Sequence, residues 1–287
     1  MTATVSGLDL AEVDRVVRTA LAEDLAYGGD ATTMATVPAG VKGVAELTPR
    51  EPGVLAGLPV ALAVLSEVAG GGFSVLSAET DGSQLEPDRP VLVVEAEIRT
   101  LLTAERTMLN LVCQLSGVAT LTAAWVDAVA GTRCQVRDTR KTVPGLRLLQ
   151  KYAVRCGGGV NHRLGLGDAV LVKDNHVVAA GSVTAALEAV RSSSPALQCE
   201  IEVDALDQLD EALNADAELV LLDNFSIADC AAAVRRRDDV NPRTRLEASG
   251  GLRLDTVRSY AETGIDFVSV GALTHSAPAV DLGLDLR

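Results

Sequence analysis

Apolar side chains recur every three to four positions between residues 9 and 27, and this spacing predicts an amphipathic helix. The helix should end at the run Tyr27–Asp30, where two glycines interrupt the pattern. Residues 41–100 read instead as short strands separated by turn residues. The strands predicted there, together with one helix over Val60–Val68, are Val41–Leu47, Gly53–Leu58 and Val91–Ile98.

A long helix is predicted over about Thr103–Val129, and Gly117 is a point at which it could break. After residue 130, apolar strands alternate with helical segments, and their ends lie about 20 to 30 residues apart, which is typical of a parallel α/β barrel. We therefore expect a domain boundary near 115, with a first domain over 1–115, a barrel domain over 116–276 and a tail over 277–287 that could pack with the first domain. The barrel strands are predicted at Cys134–Arg137, Ala169–Lys173, Cys199–Val203, Leu219–Asp223, Arg245–Ala248 and Phe267–Val270.

Composition narrows the class of protein. Hydrophobic residues make up 48% of the 287 positions but only seven are aromatic, so Ala, Val, Leu and Ile must build the core. No uninterrupted apolar run reaches the roughly 18 residues of a membrane span, and the N-terminus does not resemble a secretory signal. The five cysteines are scattered and odd in number, which favours reduced thiols of a cytoplasmic protein over disulfides or a zinc site.

Charge is unevenly distributed along the chain. The net charge of −14 argues against a nucleic-acid partner. The segment 133–173 nevertheless holds nine Lys or Arg residues against two acids, which favours a pocket for a small, highly charged anion. The alternative is a solvated helix face, and it is the interpretation we give to the three cations that recur every four residues, Arg147, Lys151 and Arg155.

Polar residues and glycines collect where the predicted barrel strands end. Functional groups of a parallel barrel gather at the carboxyl ends of its strands, so these positions form one candidate site. Two Gly-rich turns on the last two strands suit a phosphate group, because their backbone amides can point at the anion. The strand ends are Asp138–Lys141, Lys173–His176, Glu200–Asp204, Asp223-Asn224, Ser249-Gly250-Gly251 and Gly271-Ala272.

Alternation along Cys199–Asp204 places Glu200, Glu202 and Asp204 on one face of their strand. Acids inside a barrel are costly unless they are paired or bind a metal. Glu202 with Asp223 would suit Mg²⁺, which takes one or two carboxylates plus phosphate oxygens. The alternative is an internal salt bridge from Glu202 to Lys141 or Lys173, and both arrangements could hold at once.

Three consecutive glycines, Gly157–Gly159, precede His162 and Arg163. Glycine lets the backbone approach a ligand closely or adopt a positive φ, so this stretch is a candidate for ligand contact. A single histidine is usually structural, but the three histidines of this chain, at 162, 176 and 275, all lie beside the motifs above.

The residues Asp138-Thr139-Arg140-Lys141-Thr142-Val143-Pro144-Gly145, Gly157–Arg163 and Lys173-Asp174-Asn175-His176 closely resemble the quinolinate phosphoribosyltransferase family. Further segments are similar to the same family in the same order along the chain: Thr103–Arg106, Glu200–Asp204, Leu222–Asn224, Glu247–Gly251 and Val270–His275. The resemblance implies an N-terminal α/β sandwich domain and an open, incomplete parallel α/β barrel. It also implies a homodimer with shared active sites that converts quinolinate and phosphoribosyl pyrophosphate (PRPP) to nicotinate mononucleotide, pyrophosphate and carbon dioxide in NAD biosynthesis.

The resemblance also assigns roles to single residues. Quinolinate would be held by Arg106 of the partner chain together with Arg140, His162 and Arg163, while Lys141 and Lys173 would lie where quinolinate meets PRPP. Glu202 and Asp223 would contact the ribose hydroxyls and Mg²⁺, and with the two lysines they are the catalytic candidates. The phosphate end would be held by Ser249, Gly250, Gly251, Gly271 and Ala272, and Thr139, Val270 and His275 would be further substrate-binding residues.

Two other functions remain open from the sequence. A related phosphoribosyltransferase could act on another pyridine carboxylate, although one carboxylate would not need Arg106, Arg140 and Arg163 together. A non-catalytic barrel that binds phosphorylated metabolites would keep the glycine turns but would not need Glu202 with Asp223 or the lysine pair.

Overall fold

The computed structural model describes residues 7–287, so the first six residues of the predicted domain 1–115 lie outside the described chain. The helices are α1 (Leu10–Asp24), α2 (Ala31–Thr36), α3 (Leu58–Ala69), α4 (Ile98–Ala128), α5 (Arg147–Cys156), α6 (Asp174–Ala180), α7 (Val183–Ser193), α8 (Leu206–Asn214), α9 (Ile227–Val240), α10 (Val257–Ala261) and α11 (Ala272–His275). The strands are β1 (Lys42–Pro49), β2 (Gly53–Val54), β3 (Phe73–Ala78), β4 (Gln84–Leu85), β5 (Leu92–Glu97), β6 (Gln135–Arg137), β7 (Val170–Val172), β8 (Cys199–Val203), β9 (Leu219–Asp223), β10 (Arg245–Ser249), β11 (Phe267–Ser269) and β12 (Leu282–Leu286).

The chain forms two compact units. The first comprises Met1–Ala123, Thr142–Gly158 and Ala272–Arg287, and the second comprises Ala124–Lys141 and Gly159–Gly271. The boundary near 115 stays a prediction. The predicted α/β fold with a parallel sheet is confirmed.

The first unit contains a four-stranded antiparallel sheet in the order β12-β1-β5-β3, with α1 packed against α3. The C-terminal strand β12 pairs with β1, so the end of the chain is part of this sheet.

Asp81 links several segments of this unit through hydrogen bonds. Its buried carboxylate accepts hydrogen bonds from the backbone N–H groups of Gly57 (2.8 Å) and Leu58 (3.0 Å) and from the Tyr152 hydroxyl (2.8 Å), which anchors α5 beside the start of α3.

The second unit is built on a six-stranded parallel sheet in the order β6-β11-β10-β9-β8-β7. Within this sheet β6 and β7 are edge strands and do not pair with each other, as expected of an open barrel. Alternation along β8 buries Ile201 and Val203 on one face, and it turns Glu200 and Glu202 to the opposite face, where they line cavities. This face of the sheet therefore carries the polar side chains that matter for function.

Helix α4 is continuous, so the break suggested at Gly117 is wrong. The glycine has another purpose: a Cβ at Gly117 would lie 2.0 Å from the carbonyl oxygen of Pro278, in the segment that leads to β12. By length and composition alone α4 could cross a membrane, with a mean hydropathy of 1.4 in its most apolar stretch. However, 56% of that stretch is buried inside the protein, which is the behaviour of a core helix.

Two other predictions are corrected in the first unit. Lys151 was assigned to a solvated helix face, but it is fully buried because α5 lies inside the unit and is covered on several sides. Gly157 was assigned to ligand approach, but a Cβ there would lie 2.3 Å from the carbonyl oxygen of Ala119. Gly157 therefore allows α5 to end against α4, and only its neighbour Gly158 has a positive φ, of 84°. All five cysteines are free, as predicted.

We predict that Gly117→Ala lowers the free energy of unfolding by about 1–3 kcal/mol, because the added methyl group overlaps the backbone at Pro278. Gly29→Ala is the matched control, since a Cβ at Gly29 meets no atom within 4 Å. Urea denaturation of both variants measures the effect. Equal stabilities of the two variants would contradict the close contact between α4 and the C-terminal segment.

Candidate active site

A cavity of about 690 Å³ opens inside the second unit at the carboxyl ends of the parallel strands. Its walls combine cations, carboxylates and a glycine turn, which is the mixture expected for a charged substrate. The lining residues are Thr139, Arg140, Lys141, His162, Arg163, Leu171, Lys173, Glu202, Leu221, Asp223, Asn224, Ser249, Gly250, Gly251 and Ser269.

Two guanidinium groups lie close together in this cavity. Burial lowers the pKa of Arg163, and the nearby charge of Arg140 lowers it further. Within residues 7–287, the buried Nε–H of each of these two arginines has no hydrogen-bond partner. Arg140 follows β6 and Arg163 follows the glycine loop, so two separate segments supply the pair. Like charges held side by side with unused donors suit a ligand that carries two anionic groups.

Lys173 and Glu202 form an ion pair across the cavity, with 3.0 Å between Nζ and Oε2. They stand at the ends of neighbouring strands, β7 and β8, and the predicted alternative of an internal salt bridge is therefore present. Asp223, at the end of β9, accepts a hydrogen bond of 2.7 Å from the side-chain amide of Asn224. Glu202 and Asp223 thus both present carboxylate oxygens to the same cavity, and these are the ligands that Mg²⁺ prefers.

The turn after β10 has a backbone that only glycine permits. Gly250 has a φ of 90°, and a Cβ there would lie 2.2 Å from the side-chain oxygen of Asn224. Gly251 follows with a φ of 62° and open space around it. A backbone without side chains leaves amide groups accessible at the cavity wall, as a phosphate group requires.

A second charged layer lies beneath the cavity. Glu247 of β10 and Arg137 of β6 form a direct ion pair, and the Nε2 atom of His162 lies 2.9 Å from Oε2 of Glu200 on β8. All four side chains are buried, and Glu247 is completely so. Burial raises the pKa of Glu247 to about 7, with a further contribution from the Glu200 carboxylate, and burial likewise raises the pKa of Glu200 to about 7.

His162, Glu200 and Glu247 place three potential metal ligands within 4.8 Å of one another. Their hydrogen bonds do not suit a cation. Nδ1 of His162 accepts the backbone N–H of Arg163 at 2.7 Å, so the ring proton is on Nε2, the atom that faces the carboxylates. The Arg137 guanidinium already supplies positive charge beside Glu247.

Five of the predicted site residues are not among those that line the cavity of the second unit. Arg106, Ala272 and His275 belong to the first unit, where Arg106 is exposed on α4 and His275 shares a hydrogen bond with Ser276. Val270 is buried after β11, and Gly271 ends the second unit. Asp204 lies beyond the end of β8 and is exposed, so it does not continue the face of Glu200 and Glu202.

The structure adds residues to which the sequence analysis gave no individual role. Asn224 and Ser269 line the cavity with polar atoms, and Leu171 and Leu221 supply apolar wall. Arg137 and Glu247 belong to the charged layer below it. Alternation could have suggested that Glu247 and Ser249 share a face, but the pairing of residues 137, 200 and 247 depends on the order of the strands.

Comparison with known proteins agrees with this geometry. The family model for the quinolinate phosphoribosyl transferase C-terminal domain matches residues 118–285, and the model for the N-terminal domain matches residues 30–116. The chain belongs to the quinolinate phosphoribosyl transferase family. The resemblance read from the sequence is therefore confirmed.

Individual members of the family are similar over nearly the whole chain. A carboxylating nicotinate-nucleotide pyrophosphorylase of Mycobacterium leprae is 60% identical, with 94% of this chain and 95% of that protein covered. A probable carboxylating nicotinate-nucleotide pyrophosphorylase of Synechocystis is 42% identical, over 85% of this chain and 83% of that protein. The solved structure of the nicotinate-nucleotide pyrophosphorylase from Francisella tularensis superposes with a TM-score of 0.93 at 37% identity, with both chains fully covered.

The raised pKa of Glu247 predicts a pH dependence of stability. The carboxyl group binds its proton more tightly in the folded than in the unfolded chain, so its contribution is complete below about pH 4.5 and is lost as pH rises through about 7. The free energy of unfolding should therefore fall by at least ~1 kcal/mol between about pH 5 and pH 8, which urea denaturation at a series of pH values measures.

Glu247→Gln, which resembles the protonated acid, should flatten this slope, whereas Glu188→Gln on the exposed side of α7 should leave it unchanged. The same slope in all three proteins would show that the buried carboxyl group does not take up a proton in this range.

Proposed function

We propose that this chain is a quinolinate phosphoribosyltransferase that acts in NAD biosynthesis. The pyridine nitrogen of quinolinate bonds to C1 of the ribose of PRPP, and the bond from C1 to pyrophosphate breaks. The bond from C2 of the pyridine to its carboxylate then breaks, carbon dioxide leaves, and the electron pair at C2 takes up a proton to give nicotinate mononucleotide. The observation that carries the proposal is the pair of half-buried arginines, Arg140 and Arg163, whose buried Nε–H groups have no hydrogen-bond partner in the described chain and whose charges interact.

Quinolinate bears two adjacent carboxylates, and two adjacent guanidinium groups match it in number and sign. Each charge-assisted hydrogen bond contributes about 1.5–3 kcal/mol, and a bidentate pair also fixes the orientation of the ring. A pyridine with one carboxylate would leave one guanidinium group desolvated without a counter-charge, which is costly. The cavity therefore discriminates against nicotinate, whose single carboxylate can satisfy only one of the pair.

The opposite wall of the cavity suits PRPP. The turn Ser249–Gly251 offers backbone amides to the phosphate end. Val270, Gly271, Ala272 and His275, which follow β11 along the chain, stay predicted substrate-binding residues. Lys141 and Lys173 carry the positive charge that a departing pyrophosphate requires. We propose that Glu202 and Asp223 hold the ribose hydroxyls and Mg²⁺, which when bound neutralises charge on the pyrophosphate.

The residues act mainly through position and charge. As pyrophosphate departs, positive charge develops at C1 of the ribose, and the carboxylates of Glu202 and Asp223 stabilise it. Arg140 and Arg163 hold the pyridine ring so that its nitrogen faces C1. Once the nitrogen is bonded to ribose, its positive charge stabilises the electron pair that remains at C2 when carbon dioxide leaves.

We further propose that the working form is a homodimer in the cytoplasm. Arg106 is exposed on α4, and its side chain makes one long hydrogen bond, of 3.3 Å, to Asn110. An exposed arginine with such a weak local contact can reach the substrate cavity of a second copy. The five free thiols favour a reducing compartment.

A coupled assay with PRPP and Mg²⁺ tests the reaction, with quinolinate or nicotinate offered and carbon dioxide and mononucleotide followed together. We expect turnover with quinolinate alone and one carbon dioxide per mononucleotide. Turnover with nicotinate alone would favour the related phosphoribosyltransferase and would contradict the two-carboxylate clamp. Binding of phosphorylated metabolites without turnover would favour the non-catalytic barrel.

Arg140→Ala should raise KM for quinolinate by about 30-fold or more, because at least ~2 kcal/mol of charge-assisted hydrogen bonding is lost. Arg235→Ala, on the exposed side of α9, is the control and should behave as the wild type. Arg106→Ala alone should be similarly impaired, and Arg89→Ala should not.

Mixing Arg106→Ala chains with Arg140→Ala chains should restore activity, since one site of each hybrid dimer then has both arginines intact. No recovery after subunit exchange would contradict a site shared between two copies.

A further inference from the structure

The charged layer beneath the cavity consists of Arg137, His162, Glu200 and Glu247, and of these four residues only His162 lines the substrate cavity. Glu200 lies two residues before Glu202 on the same face of β8, so it stands one step deeper in the sheet. A second cavity, of about 240 Å³, lies on its far side and shares His162 and Arg163 with the substrate cavity. His162 and Arg163 therefore line both the substrate cavity and the smaller cavity beside Glu200.

Hydrogen bonds connect this layer to the substrate clamp. Nε2 of His162 lies 2.9 Å from the Glu200 carboxylate, and its Nδ1 accepts the backbone N–H of Arg163 at 2.7 Å. The backbone N–H of His162 is in turn held by the buried Asp138 carboxylate at 2.9 Å. The imidazole ring thus links the buried carboxylates to the backbone from which the Arg163 guanidinium extends.

Stability does not account for the layer. Two buried carboxylates face one guanidinium group, and one oxygen of Glu200 and one of Glu247 have no hydrogen-bond partner in the described chain. Replacing a complete buried ion pair or triad with apolar residues is often neutral or stabilising, so a buried charged cluster is weak evidence for a role in stability. Buried charged groups that lower stability and lie directly behind a substrate-binding residue are expected where they hold that residue in position.

We propose that Glu200 and Glu247 are positioning residues for quinolinate: Glu200 fixes the orientation of the His162 ring, Glu247 fixes Arg137 beside Glu200, and together they hold Arg163 where it meets a substrate carboxylate. Neither carboxylate contacts substrate. We expect the PRPP end of the cavity to be affected less, because Glu202 is paired with Lys173 and Gly250 lies against Asn224, and neither Lys173 nor Asn224 belongs to the charged layer. The proposal rests on the proposed function, since it concerns the binding of quinolinate.

Glu200→Leu separates positioning from stability. The leucine is similar in size and apolar, and Arg137 keeps Glu247 as its counter-ion, so we expect a folded protein whose Tm is lowered by at most about 10 °C through the unpaired Nε2–H of His162. We expect a KM for quinolinate raised about 10-fold or more and a KM for PRPP within about twofold of wild type. Glu200→Gln should keep the KM for quinolinate within about threefold, because its amide oxygen can still accept the Nε2–H of His162.

A KM for quinolinate within twofold of wild type in Glu200→Leu would overturn the proposal. A lowered Tm with equal loss for both substrates would do so as well, and so would failure of both Glu200→Leu and Glu200→Met to fold, because the carboxylate would then be a requirement of the fold.

A second measurement does not depend on turnover. The chain has three histidines, so ¹⁵N-histidine NMR can resolve His162 by substitution of His176 and His275 in turn. The wild type and Glu200→Gln should show the proton on Nε2 of His162, and Glu200→Leu should keep this tautomer through the Arg163 N–H but show a changed Nε2–H chemical shift, because that proton has lost its acceptor. The proton on Nδ1 in the wild type would overturn the proposed positioning. If wild-type protein shows the expected tautomer but does not turn over quinolinate, the proposed function fails and the positioning network stands.

Discussion

The structure of the second unit depends on how charge is buried inside its parallel sheet. A strand covered by helices on one face is expected to be apolar there, and Ile201, Val203, Val220 and Leu222 meet this expectation. The opposite face instead carries Glu200 and Glu247 with Arg137 as their counter-ion. Buried carboxylates keep their place only with nearby cations and donors, so the strand order that brings residues 137, 200 and 247 together is a condition of the site.

In the cavity above this layer, the charged groups with unused hydrogen-bonding atoms are cations instead of carboxylates. There, Arg140 and Arg163 each have an Nε–H donor without a partner in the described chain, and an anionic ligand can supply the acceptors. His162 connects this charged layer to the cavity, because Nε2 faces Glu200 and Nδ1 accepts the backbone N–H of Arg163. The unused Nε–H donors of Arg140 and Arg163 are the basis for proposing a substrate with two carboxylates, and the glycine turn after β10 leaves a backbone that a phosphate group could approach.

Much of this arrangement could be predicted from the sequence because it depends on local patterns. Strands β8 and β9 begin and end where alternation and apolar runs placed them, and the charged strand ends meet in one cavity. By contrast, β3 was not predicted, since most of its side chains are exposed and give no clear apolar pattern. Gly117 and Lys151 were misjudged because their surroundings come from distant segments of the chain, which no local pattern records.

Direct binding of small carboxylates tests the two-guanidinium clamp most simply. The wild-type protein is titrated calorimetrically with quinolinate, nicotinate and phthalate. Quinolinate and phthalate carry two carboxylates and nicotinate carries one, and phthalate lacks the ring nitrogen. The clamp predicts that phthalate binds within about tenfold of quinolinate and that nicotinate binds at least about tenfold more weakly than either, because a lost charge-assisted contact costs more than ~1.4 kcal/mol. Nicotinate binding as tightly as quinolinate would contradict the account.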